Sequence, residues 1–189
     1  MLEKNRHNLL FIVLLTFLLY ACSTRQAEPV VFDFENVHYK FSDIVMYSPE
    51  EVILSDGYFK TSYGASVRLV SHAVGKVEPL GEVGVAILAH HGGGTGTFYR
   101  LGVFEKNGEA LVEIANTWLG DRVIIHLFRI ENGQIVLVMT RHGKHDPLCC
   151  PTHVVLRKYH AADGKLELLS EELLGTTLGE YCDPPISQG

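Results

Sequence analysis

The chain has 189 residues, 47% of them hydrophobic and 20% charged, with 16 Lys and Arg against 22 Asp and Glu for a net charge of −6. That length allows one domain with a sizeable core. The acidic balance and the lack of any Lys/Arg cluster make nucleic acid and anionic lipid surfaces poor partners, and no nucleic-acid role is expected.

The first predicted element is an export signal. Residues 1–8, "MLEKNRHN", carry Lys4 and Arg6 against Glu3, and Leu9 to Ala21 are apolar except for Thr16 and Tyr20. The run is shorter than the roughly 20 residues a membrane helix needs, and a basic start before a short apolar core is the pattern of a cleaved signal. Leu19-Tyr20-Ala21-Cys22 resembles the lipobox of bacterial lipoproteins, with a Tyr bulkier than usual at the free position. The resemblance implies cleavage before Cys22 and its acylation with palmitate-like chains; several chains hold a membrane stably where one does not. Ser23 in the next position implies sorting to the outer membrane, facing the periplasm. The expected division is therefore signal 1–21, lipidated N-terminus and polar tether 22–29, one β-rich domain 30–175 and a tail 176–189. Loss of the signal moves the net charge from −6 to −7, since Glu3, Lys4 and Arg6 leave with it.

Beyond the tether, β signals dominate. Val52–Leu54 and Tyr58–Lys60 flank Ser55-Asp56-Gly57, and Asp-Gly predicts a tight hairpin turn. Val67–Val70 and Val83–Ala89 are further strands. Thr97–Phe104 and Ala110–Thr117 flank an Asn107-Gly108 turn, and Arg122–Ile130 and Ile135–Thr140 flank Asn132-Gly133. The last of these is apolar on both faces, which predicts a central, doubly covered strand. His126, within the apolar run, is expected as a hydrogen-bonded, mostly buried imidazole. Thr152–Tyr159 and Leu166–Leu169 flank Asp163-Gly164, and only Ser170–Leu174 and Ser48–Val52 offer helical alternatives. Short strands with turn chemistry between them predict a mainly β fold, an antiparallel sandwich or a strongly bent sheet.

Two segments carry candidate chemistry. The first is His90, His91, Gly92, Gly93, Gly94, Thr95 and Gly96, ahead of Thr97-Phe98. No Gly-Lys-Ser/Thr follows, which removes a phosphate loop. An esterase oxyanion loop would need a Gly-x-Ser-x-Gly elbow, and Gly64-Ala65-Ser66-Val67-Arg68 lacks the second glycine. A hairpin connection is the first expectation for such a cluster, and a binding loop with bare backbone is the functional one. His90 and His91 point to opposite faces of a strand and do not chelate together.

The second is "HGKHDPLCCPTH", residues 142–153. His142, His145, Cys149, Cys150 and His153 offer zinc or copper ligand atoms. Pro147 and Pro151 stiffen the segment, however, and adjacent cysteines do not easily face one metal. In an exported chain disulfides form and persist, which places two sulfur pairings ahead of metal. One joins either Cys149 or Cys150 to Cys182 and closes a loop of about 32 residues, for about 3–4 kcal/mol in the chain-entropy model. The other is a vicinal Cys149–Cys150 ring, strained because neighbouring α-carbons lie only about 3.8 Å apart. The residues themselves leave both open.

"GGGTGTFYRLGVF", "WLGDRVIIH" and "DPLCCPTHVVLRKY" are similar to segments of a group of uncharacterised bacterial envelope lipoproteins and secreted proteins. Their recurring pattern is a Gly-Gly-Ser-Gly-Thr-Phe loop, a Leu-Gly-Asp-Arg turn and Asp-Pro-Met-Cys-Cys-Pro-Thr. The resemblance covers residues 86–159 and implies location rather than chemistry. It pairs Cys149 with Cys150 without requiring a Cys182, and so implies the vicinal ring with His145 and His153 beside it. Relatives often carry an aspartate-rich loop where this chain has Glu78-Pro79-Leu80-Gly81-Glu82, which leaves calcium few of the oxygen ligands it wants. With no complete catalytic set, the expected role is a non-catalytic, lipid-anchored envelope module, without a cofactor, that binds another envelope component such as a protein or supports assembly. A metal or thiol-redox sensor is the alternative.

Overall fold

The computed structural model describes residues 31–41 and 51–177; the signal segment, Cys22, the tether and Cys182 lie outside the described residues. Within the described residues eleven strands follow one another without a helix: β1 (His38–Lys40), β2 (Glu51–Ile53), β3 (Tyr58–Lys60), β4 (Ser66–Val77), β5 (Gly81–His91) and β6 (Thr97–Asn107), then β7 (Ala110–Asp121), β8 (Ile124–Glu131), β9 (Gln134–Arg141), β10 (His153–Ala162) and β11 (Lys165–Thr176). The punctuation follows the sequence. Asp56-Gly57, Asn132-Gly133 and Asp163-Gly164 each hold two successive positive φ angles, between 48° and 75°, which Asn and Asp tolerate and Gly accepts freely.

The strands make one strongly curled, half-barrel sheet in the order β3-β4-β5-β6-β7-β11-β10-β9-β8, with β1 paired to β2 and, in parallel, to β7. Two antiparallel meanders are thus joined at a narrow seam, where β7 and β11 share the single register pair Asn116↔Lys165. The far ends curl towards each other. Glu78 N–H donates to Gly133 O at 2.9 Å, and a Cβ on Gly75 of β4 would stand 3.1 Å from Ile130 Cδ1 of β8.

Curling gives the sheet an inside. Val83, Val85 and Ile87 of β5 meet Leu101 and Val103 of β6, Ile135, Leu137 and Met139 of β9, and Val155 and Tyr159 of β10. On the outer face Ala86, Leu88, Phe104 and Leu111 are covered by Phe34, Tyr39, Val52 and Leu54. Each such buried aliphatic side chain contributes about 1.5–3 kcal/mol relative to an exposed one. The two-sided burial explains why β5 reads as a continuous apolar run.

Four expectations need correction. The Asp56-Gly57 turn forms, with Ser55 and Tyr58 exchanging both backbone hydrogen bonds at 3.0 and 3.1 Å. Its flanking strands then part, however, β2 to β1 and β3 to β4. Ser170–Leu174 is strand, because its register to β10 outweighs helix propensity; Leu169 and Leu174 are the extra residues of two bulges. Ile135–Thr140 is largely buried on both faces but lies one strand from the sheet edge, and β5 is the strand covered on both sides. His126 is hydrogen-bonded, to Thr140 Oγ1 at 2.7 Å, yet exposed. It is the unpaired residue of a bulge on edge strand β8, and a bulge turns its extra side chain out of the ladder.

Candidate functional site

The sequence motifs, far apart in the chain, meet at one corner of the sheet. The β5–β6 connection supplies Gly92–Gly96, the β7–β8 connection supplies Asp121 and Arg122, and the β9–β10 connection supplies residues 142–152. Arg122 is the centre. Its backbone adopts φ +49°, a left-handed conformation uncommon for a side-chain-bearing residue, and its N–H donates to Thr97 O at 2.8 Å. Its guanidinium donates through Nη2 to Thr95 O, through Nη1 to Leu148 O at 2.7 Å, and through Nη1 to Asp121 Oδ2. Asp121 in turn accepts Thr97 N–H through Oδ1 at 2.8 Å. A planar fork of donors suits several fixed acceptors at once, and one side chain thereby joins three loops.

Between those loops lies a cleft of about 510 Å³ lined by Gly92, Gly94, Thr95, Gly96, Phe98, Asp121, Arg122 and Leu148. Its floor is bare backbone: nothing stands within 4 Å of where a Cβ on Gly94 would be. Its walls are apolar, with Phe98 38% and Leu148 83% exposed. Gly96 is fitted to the Phe98 ring, which an added Cβ would meet at 3.0 Å. A larger recess of about 770 Å³ opens between β1 and the β6–β7 turn. No glycine-loop or cysteine-segment residue reaches it, and the smaller cleft, built from three converging segments, is the better candidate.

The cysteine segment is held by a clasp. Asp146 Oδ2 accepts Gly143 N–H at 2.8 Å and Thr152 N–H at 2.7 Å, and Thr152 Oγ1 donates to Asp146 Oδ1 at 2.8 Å. The backbone hydrogen bond from Gly143, followed by those from Thr152, holds the Asp146 carboxyl below its ordinary range against some desolvation. Inside the clasp Cys150 N–H donates to Pro147 O at 3.0 Å, and the sulfurs of Cys149 and Cys150 are paired across adjacent α-carbons 3.8 Å apart. Gly143 lies against the His153 imidazole, 2.4 Å from where a Cβ would sit. Of the ligand set proposed from sequence, His145 is exposed, and the buried Nε2 of His142 has no hydrogen-bond partner among the described residues. No group of three or more His, Cys, Asp or Glu able to hold a metal occurs among the described residues.

The glycine loop divides by role. Gly92, Gly94, Thr95 and Gly96 line the cleft, while Gly93, at φ +85°, donates its N–H to His91 Nδ1 at 3.1 Å and shapes the loop. His90 is no cleft residue. It is 2% exposed, between Phe41 and Trp118 at ring separations of 5.5 and 5.6 Å. Burial, then the nearby Arg100 charge, pushes its pKa down to about 3. Arg100 is fully buried, holds Glu113 with a two-point ion pair, and stacks on Phe41 and Trp118 at 5.6 and 5.3 Å. This buried charge pair joins β6 to β7, with Thr97, Phe98 and Tyr99 between Arg100 and the glycine loop.

Sequence reasoning missed Asp121, Arg122, Phe98, Leu148 and the Asp146–Thr152 clasp as working parts. Each sits inside one of the quoted motifs, which was the available signal. Comparison with protein-family models, with curated proteins and with solved structures finds no match.

Proposed function

We propose that this chain is a lipid-anchored, non-catalytic protein of the bacterial envelope, whose β-domain binds a partner protein through the Gly92–Gly96/Arg122/Leu148 cleft. The observation that carries the binding role is convergence: three loops of distant sequence are fixed around one cleft by hydrogen bonds to a single guanidinium. A floor of open glycine backbone offers hydrogen-bonding groups to another main chain, while Phe98 and Leu148 offer apolar grip, a combination suited to an extended peptide segment. The anchor is supported by the lipobox-like Leu19-Tyr20-Ala21-Cys22.

The binding role is tested with a photo-crosslinking residue at position 148 in cells, beside a control at exposed Val74, eight residues along β4 from the end that pairs with His91. A discrete adduct at 148 that disappears with Gly96→Ala supports it, because that Cβ displaces the Phe98 wall. Equal adducts at both positions, or none at 148, overturn it. The anchor is tested by fractionation: Cys22→Ala should release the domain from membranes, and retention there counts against lipidation.

A further inference from the structure

The cysteine pair lies midway along a segment that is fastened at both ends. Gly143 N–H at one end and Thr152 N–H at the other donate to the same Asp146 oxygen. Thr152 O also accepts Thr177 N–H at 2.7 Å, which ties that end to the last residue after β11. Between the fastenings, residues 147–151 are held by two hydrogen bonds among the described residues: Cys150 N–H to Pro147 O at 3.0 Å and Arg122 Nη1 to Leu148 O at 2.7 Å. Pro147, Leu148 and Cys149 are exposed, and Cys150 is half-buried. A long-range disulfide stabilises a fold by limiting the unfolded chain. One between neighbours, with α-carbons 3.8 Å apart, closes no such loop, so it is no staple. Its effect is confined to the turn that contains it.

We infer that the Cys149–Cys150 pair is a reducible site, opened by an external dithiol, whose state sets how firmly the Leu148 wall of the cleft is held. Attack on a disulfide needs an approachable sulfur, and Cys149 belongs to the exposed part of the turn. One thiol of the reductant gives its proton to solvent, and its thiolate attacks Cys149 Sγ. The mixed disulfide forms as the Cys149–Cys150 bond breaks, and the electron pair leaves on Cys150 Sγ, which takes a proton. The second thiol of the reductant, deprotonated in turn, attacks the reductant's own sulfur in the mixed disulfide. Cys149 Sγ leaves with the electron pair and is protonated. Two electrons and two protons pass from the dithiol to the chain, which ends with two thiols, and the dithiol ends as a cyclic disulfide. The two thiols remain neighbours, so an oxidised dithiol closes the pair again by the reverse path.

Opening has a local outlet. Each cysteine regains backbone freedom that the sulfur bridge withheld, and Leu148, the residue before them, lines the cleft. The hydrogen bond from Arg122 to the Leu148 carbonyl must then order a freer chain. Asp146 and Thr177 keep the two ends of the segment in place, so the loosening stays within the 147–150 turn and the sheet is untouched. The consequence for binding rests on the role proposed above for the cleft; the sulfur chemistry does not.

The test uses the purified full chain with Cys22→Ser and Cys182→Ser, so that the pair holds the only cysteines. It is equilibrated near neutral pH with dithiothreitol and its oxidised form in varied ratio, quenched with acid and alkylated for intact-mass analysis. The folded chain should pass wholly between none and two alkyl groups, reaching the same ratio from either side, with its circular dichroism spectrum unchanged. Amide exchange at residues 148–150 should be about tenfold faster in the reduced form, with β9 and β10 unchanged. The variant Cys149→Ser/Cys150→Ser, permanently open, should show the same fast exchange without any reductant. Reduction only after unfolding in urea overturns the reducible site, and loss of the sheet on reduction would make the pair a staple. Native protection at residues 148–150 in the reduced chain or in the double variant overturns control of the wall. Crosslinking at position 148 is scored separately: an adduct with unaltered exchange leaves the binding role and removes the switch, and a switch without an adduct does the opposite.

Discussion

Arg122 reaches Leu148, 26 residues further along the chain, and holds its backbone carbonyl at 2.7 Å from Nη1. The same guanidinium holds Thr95 O. Replacing it with Ala should leave the sheet intact and loosen both loops, since each lost hydrogen bond is worth about 0.5–1.5 kcal/mol, more when the donor is charged. Hydrogen exchange should quicken at residues 92–98 and 146–150 while β9 and β10 stay protected. Arg122→Lys should behave nearly as badly, because an ammonium lacks the planar fork; protection equal to that of the native chain would argue that Arg122 is not the tie.

Burying His90 makes a pH prediction. Its folded pKa, about 3, lies below the unfolded value of 6.5, so below pH 6.5 the unfolded chain binds a proton that the folded chain refuses. Stability is full above that value and falls as pH drops towards about 3, by about 2 kcal/mol at pH 5 from this residue. His90→Gln should lower stability at neutral pH and flatten the slope between pH 6.5 and 5. Urea denaturation at stepped pH reads both effects.

Arg100 and Glu113 should be worth more together than apart. Arg100→Met leaves a carboxylate buried without its guanidinium and should cost about 3–5 kcal/mol. Pairing it with Glu113→Leu should restore a large part of that, since a buried ion pair often gives way neutrally to apolar residues. A double-mutant cycle in urea provides the coupling.

Asp146 sets an acid limit for the cysteine segment. Its carboxyl is held below the usual range, first by Gly143 N–H and then by Thr152. The clasp is therefore fully effective above the ordinary carboxylate pKa and is lost as pH falls through the lowered folded value. Asp146→Asn should abolish this dependence and quicken amide exchange at Gly143 and Thr152 at neutral pH, with the core unchanged.

Much of the frame was legible because it is local. Asp56-Gly57, Asn132-Gly133 and Asp163-Gly164 announce their turns through the φ angles that they permit, and alternation or continuous apolarity announces the strands between them. Pairing was less so. Asp56-Gly57 signals a turn, but the separate partners of β2 and β3 depend on β1 and β4, which no short window contains. The bulges at His126, Leu169 and Leu174 are set by neighbouring strands in the same way. At the candidate site, the glycine loop and the cysteine segment were visible through composition. Arg122 was not, because one arginine among many becomes a tie only when folding brings Thr95 and Leu148 to it.

The doubled leucines of β11 bear on a different hazard. Past Lys165 this strand has no pairing on its far side among the described residues, and an open margin of that length invites intermolecular stacking. Leu169 and Leu174 interrupt it as bulge residues, leaving only residues 170–173 in unbroken register between them. A foreign strand that docked there would fall out of step within a few residues, which limits how far stacking along this leucine-bearing border can extend.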